Sequence, residues 1–151
     1  MKNKLLPQGI IYCLCGLIIV IAGVASRVFH SGFALIDHDL GEALYAALAY
    51  VLLGIAWPQL MPARKALITV AAMVAIEAFQ LTGVPARFAA SGNSVLKLLA
   101  VVLGTTWSWR DLLGYAVGIA AAALLDYFFS LRQSVGYPFF ARRGKKRIPR
   151  E

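Results

Sequence analysis

Four apolar segments, each long enough as a helix to cross about 30 Å of hydrocarbon, constrain this chain more than any other feature. They run from Gln8 to Ser26, Glu42 to Met61, Ala66 to Gly83 and Asp111 to Leu131. Lipid offers no hydrogen bonds to backbone N–H and C=O groups, so each segment must satisfy its own as an α-helix. The expected fold class is all-α, a polytopic membrane bundle of four transmembrane helices over residues 1–131, followed by a basic cytoplasmic tail over 132–151. Val95 to Gly104 is apolar but too short to span, and reads as a re-entrant or interfacial segment before the last helix.

The connectors carry helix breakers. Pro58 and Pro62 close the second segment around Trp57, Gly83 and Pro85 close the third, and Ser91, Gly92 and Asn93 form a turn. In the last segment Gly114 and Gly118 make a small-xxx-small seam for close helix approach, and the alanines from Ala120 to Ala123 suit tight packing.

Composition agrees with lipid as the solvent: 60% of residues are hydrophobic and 15% charged, against roughly a quarter charged in soluble domains. The net charge of +8 is local, because Arg132, Arg142, Arg143, Lys145, Lys146, Arg147 and Arg150 crowd into the tail. Such a tail reads as a topology anchor drawn to anionic headgroups, and no nucleic-acid partner is expected. Lys2, Lys4, Arg64, Lys65 and the tail lie on one side of the spans, while Arg27, Arg87, Lys97 and Arg110 lie on the other. The positive-inside bias places both termini in the cytoplasm of a bacterial inner membrane. The basic start and first apolar stretch also resemble a signal peptide. That stretch is longer than an h-region and is read as an uncleaved helix; cleavage would leave three spans with the same sidedness.

Polar residues collect toward the outer side. Arg27 and His30 end the first segment, Asp37, His38, Asp39 and Glu42 precede or open the second, and Glu77 and Gln80 lie in the third. Arg87, Arg110, Asp111 and Tyr115 follow. Glu77 is the most informative, since an ionisable side chain within a span costs several kcal/mol unless paired. Gln80 shares its helix face, and Asp111, Tyr115 and Gly118 share another, so the two faces are expected to meet. Arg27, Arg87 and Arg110 are the available cations, for these carboxylates or for an anionic ligand. The bland alternative is that Glu77 and Gln80 only bond a neighbouring helix. Trp57, Trp107, Trp109 and Tyr115 suit interfacial belts. Asp126 is explained by snorkelling or by pairing with Arg132.

Other chemistry finds no support. His30 and His38 have no second ligand at zinc spacing, no metal or cofactor is expected, and Ser91, Ser94 and Ser108 lack a nucleophile-elbow context. Cys13 and Cys15 are two apart, point in different directions on a helix and read as lipid-facing or core thiols.

The run Asp39-Leu-Gly-Glu42-Ala-Leu-Tyr45-Ala, the Glu77-Ala-Phe-Gln80 pair and Val102-Leu-Gly104, followed by Trp109-Arg-Asp111-Leu-Leu-Gly-Tyr115-Ala-Val-Gly118, resemble a family of small bacterial membrane proteins of unknown function, DUF2809. The resemblance covers about Arg27 to Leu125, and in that family an Asp usually fills the position of Glu42. A more distant similarity is to VanZ-like proteins, a group associated with low-level glycopeptide resistance. It rests on an acidic segment before a helix, a Glu-x-x-Gln, an Arg and an Asp opening the last helix. The sequence departs from that pattern at Glu42, near the place of a His, and at Tyr115, in the place of an Asn.

Two functional readings follow. In the first, Arg27, Asp39, Glu42, Glu77, Gln80, Arg87, Arg110, Asp111 and Tyr115 form an outer-leaflet site that binds or handles an envelope lipid or lipid-linked anion, with the arginines on the anionic head. In the second, the same cluster only locks helices in a non-catalytic assembly subunit with a membrane-protein partner. A membrane enzyme ranks third.

Overall fold

The structure is a computed structural model that describes the backbone of residues 8–28 and 34–135 and the side chains of residues 8–26 and 39–131. Every regular element among them is an α-helix: α1 (Gln8–Val28), α2 (Ala34–Ala56), α3 (Pro62–Gln80), α4 (Val84–Ala90), α5 (Ser94–Leu103) and α6 (Trp109–Val135). Three helices are long and apolar enough to cross a membrane, within Gln8–Ser26, Asp39–Ala56 and Trp109–Leu131. The pair α3 and α4, bent by 68°, makes up to four if counted as one span.

The breakers act where expected. Pro58 has no N–H and restricts the residue before it, so α2 ends at Ala56. Pro62 sits in the first turn of α3, where a missing N–H costs nothing. At Gly83 the chain adopts φ +68°, a left-handed turn open to glycine at little cost, and α4 departs from there with Pro85 buried in its first turn. The short helix after Gly83 was not anticipated. The Asn93 side chain caps α5 by accepting from the Val95 N–H at 2.8 Å. The apolar segment read as re-entrant or interfacial is thus a helix packed against α4, and the two form a hairpin beside the bundle.

α2 and α6 form the centre, with α1 against α2 and α3 against α6. The Gly114/Gly118 seam is what lets them approach. A Cβ on Gly118 would lie 2.0 Å from the Ala43 carbonyl oxygen, and one on Gly114 would lie 2.8 Å from Glu42 Cβ. Ala46 and Tyr50 of α2, Met73 of α3 and Tyr115 and Ile119 of α6 make the core, with Ala122 and Ala123 packed beside it. The outer faces are apolar: Leu17, Ile18 and Ile21 on α1 and Leu113, Val117 and Phe128 on α6 are all exposed. A surface of this kind needs lipid around it. Cys13 faces outward with them and Cys15 is half-buried.

Candidate functional site

Buried polar side chains fall into two groups joined by one face of α3. Its buried residues are Lys65, Thr69, Met73, Glu77 and Gln80, spaced by four, four, four and three, so they form a single stripe along the helix. The first group closes one end of the bundle and the second opens into a cavity at the other.

In the first group Lys65 Nζ lies 2.7 Å from Asp126 Oδ2, with the two side chains only 1% and 7% exposed. Tyr12 donates to Asp126 Oδ1 at 2.7 Å, Tyr50 donates to Asp126 Oδ2 at 2.8 Å, and Lys65 also donates to the Tyr12 hydroxyl. One carboxylate therefore ties α1, α2, α3 and α6 together. This corrects two expectations. Asp126 does not snorkel but is buried beside Lys65, and Lys65 is not a loop cation but sits one turn into α3, buried against the opposite charge. A buried ion costs several kcal/mol unless a counter-ion and hydrogen bonds replace its water, and here both do. Tyr12 and Tyr50 were missed. The available signal was the placement of Asp126 and Lys65 within apolar helices and of tyrosines at matching depth.

In the second group Tyr115 donates to Glu77 Oε1 at 2.8 Å, so the two polar faces do meet. Tyr115 is buried in the core, not in an interfacial belt, and its ring lies tilted against Tyr45 with centroids 6.1 Å apart. The Gln80 amide donates to the Leu103 carbonyl at 2.8 Å and more weakly to Glu77 Oε1 at 3.4 Å. Only an NH2 group can meet a carbonyl oxygen, so the Leu103 contact fixes which way the amide faces. Gly104, at φ +73°, follows directly, and a Cβ there would lie 2.7 Å from Gln80 Nε2.

Between this bond and the α2–α6 pair lies a cavity of about 650 Å³, lined by Glu42, Tyr45, Gln80, Asp111 and Tyr115 with the chain from Val101 to Thr106 as its far wall. Three buried oxygens accept no hydrogen bond from the described residues: Gln80 Oε1, Asp111 Oδ1 and, beside the cavity, Glu77 Oε2. Among the described residues no group of three metal-type ligands stands close enough to hold a metal ion.

The structure thus brings together Glu42, Glu77, Gln80, Asp111 and Tyr115. It does not bring in Arg87 or Arg110. Arg110 is exposed and pairs with Asp39 through two contacts of 3.2 Å, away from the cavity lining, and Arg87 is exposed on α4. Neither is the counter-charge of Glu77, whose described partners are Tyr115 and Gln80. The side chains of Arg27, Asp37, His38 and Arg132, together with His30 and the tail beyond Val135, lie outside the described residues.

No curated protein and no solved structure matches the chain. Residues 32–119, more than half of the sequence and containing the whole cavity lining except Ser26, match the family described as "Protein of unknown function (DUF2809)", and the chain belongs to that family.

Proposed function

We propose that this protein binds the polar head of a membrane amphiphile in the cavity between α2, α6 and the α4–α5 hairpin. In this reading the chain crosses a bacterial inner membrane four times, with α3 and α4 as the broken span and the cavity at the outer leaflet. Both termini are then cytoplasmic, and the basic tail lies along the anionic inner leaflet.

The observation that carries the reading is the contrast between the two polar groups. Around Asp126 no buried polar atom of the described residues lacks a partner, as a purely structural lock requires. Around the cavity Gln80 Oε1, Asp111 Oδ1 and Glu77 Oε2 all do. Leaving a buried acceptor unpaired costs about 1–3 kcal/mol, so two on the cavity lining with a third beside it are better explained by a bound group than by helix packing. The cavity also has the right walls, with carboxylates, an amide and threonines on one part and the apolar Val101 and Val102 of α5 on another.

Native mass spectrometry of the purified protein tests the reading. A lipid-sized adduct should survive detergent that strips annular lipid, and should weaken in Gln80→Ala and Asp111→Asn variants that remain folded. Folded wild-type protein without any adduct would overturn it and favour a bare structural role.

A further inference from the structure

The hydrogen-bonding capacity left at the cavity is of one kind. Gln80 has spent its amide donors on Leu103 and Glu77, which turns its oxygen away from them, and Tyr115 has spent its hydroxyl proton on Glu77. What remains are acceptors: Gln80 Oε1 on a side chain 6% exposed, Asp111 Oδ1 on one 8% exposed, and Glu77 Oε2. Two of these three atoms are carboxylate oxygens, of Asp111 and Glu77. A phosphate or carboxylate entering this space would meet acceptors and negative charge. A primary ammonium offers three donors and a positive charge, matching both properties.

We infer that the group recognised in the cavity is an organic ammonium, held by Asp111 and Gln80, with the Glu77 carboxylate behind them. This deepens the proposed function and reverses the charge of the head that the arginines of the sequence point to. The ammonium belongs either to a lipid headgroup or to a free amine, and the same chemistry serves both.

The test compares two short-chain lipids offered at equal concentration to the purified full-length protein, one with a phosphoethanolamine head and one with a phosphoglycerol head. Both carry a phosphate; only the first carries an ammonium. A charge-assisted contact exceeds a neutral one by about 1–1.5 kcal/mol, so the ethanolamine lipid should be retained about tenfold better. Asp111→Asn, which keeps the shape and removes a charge, should erase most of that preference. Free ethanolamine shows the source: binding as tight as the lipid's supports an amine taken from water, and much weaker binding supports one carried on a lipid. Equal retention of the two lipids would overturn the ammonium while leaving a polar-head site intact. Preference for the glycerol lipid would also overturn it. Retention of neither, with ethanolamine inert as well, would overturn the proposed function itself.

Discussion

Lys65 and Asp126 meet at 2.7 Å inside the bundle although 61 positions separate them in the chain, and Tyr12 and Tyr50 complete the shell around the carboxylate. This pair joins the start of α3 to the latter half of α6, while the tyrosines bring in α1 and α2. It fixes one end of the molecule, so the other end can hold unsatisfied polar atoms without the helices drifting apart.

Breaking the pair from one side should be severe. Lys65→Met leaves Asp126 as a buried carboxylate with only tyrosine donors, and Asp126→Leu leaves a buried ammonium, each costing about 3–5 kcal/mol. The double variant should recover much of that loss, because it removes both desolvated charges. Thermal unfolding of the four proteins in one detergent gives the cycle directly. Additive losses would show that the two residues do not act as a pair.

Glu77 should behave differently, since no described cation is paired with it. Glu77→Gln keeps an acceptor for the Tyr115 hydroxyl and should cost no more than about 1 kcal/mol, whereas Tyr115→Phe removes the donor to a buried carboxylate and should cost about 1–3 kcal/mol. The same unfolding measurement ranks the two. A Glu77→Gln loss as large as that of Lys65→Met would mean that Glu77 is half of a buried ion pair after all.

The glycines separate two kinds of constraint. Alanine normally favours a helix over glycine by about 1 kcal/mol, yet Gly118→Ala should destabilise, by about 3 kcal/mol, because its Cβ would drive into the Ala43 carbonyl at 2.0 Å. Gly104→Ala acts elsewhere: its positive φ and its clash with Gln80 Nε2 should break the bond to Leu103 and release the α4–α5 hairpin. Hydrogen exchange across residues 94–103 should rise in Gly104→Ala with little change in α2 or α6. Unchanged exchange would show that the Gln80 contact does not hold the hairpin.

Sidedness can be read by thiol labelling once Cys13 and Cys15 are replaced. Arg64 and Ser94 are both exposed, one at the α2–α3 turn and the other at the start of α5. A cysteine at 94 should react with a membrane-impermeant reagent in intact cells, while one at 64 should react only after permeabilisation. The reverse pattern would invert the proposed orientation and place the cavity in the inner leaflet.

Much of the architecture was legible in the sequence because the bilayer imposes it locally. Segment length, the prolines at 58 and 62 and the glycine at 83 act on their own stretch of chain, and the structure places helix ends within a few residues of them. The start of α2 is the exception: it begins at Ala34, two turns before Glu42, because polar residues there lower hydropathy without disfavouring a helix. The seam at Gly114 and Gly118, and the meeting of Glu77 with Tyr115, also followed from spacing along single helices.

Partner choice did not. Arg87 and Arg110 were available cations by sequence logic, but a charge finds its partner through the packing of whole helices. That packing gave Arg110 to Asp39 at the surface and Lys65 to Asp126 in the interior. The sequence by itself determined that the chain builds apolar helices with ionisable residues, Glu77 and Asp126 among them, inside. Only the tertiary structure decided that Asp126 is fully compensated and Glu77 is not, because compensation depends on which donors four separate helices bring within about 3 Å of one oxygen, a distance no spacing along a single helix can encode.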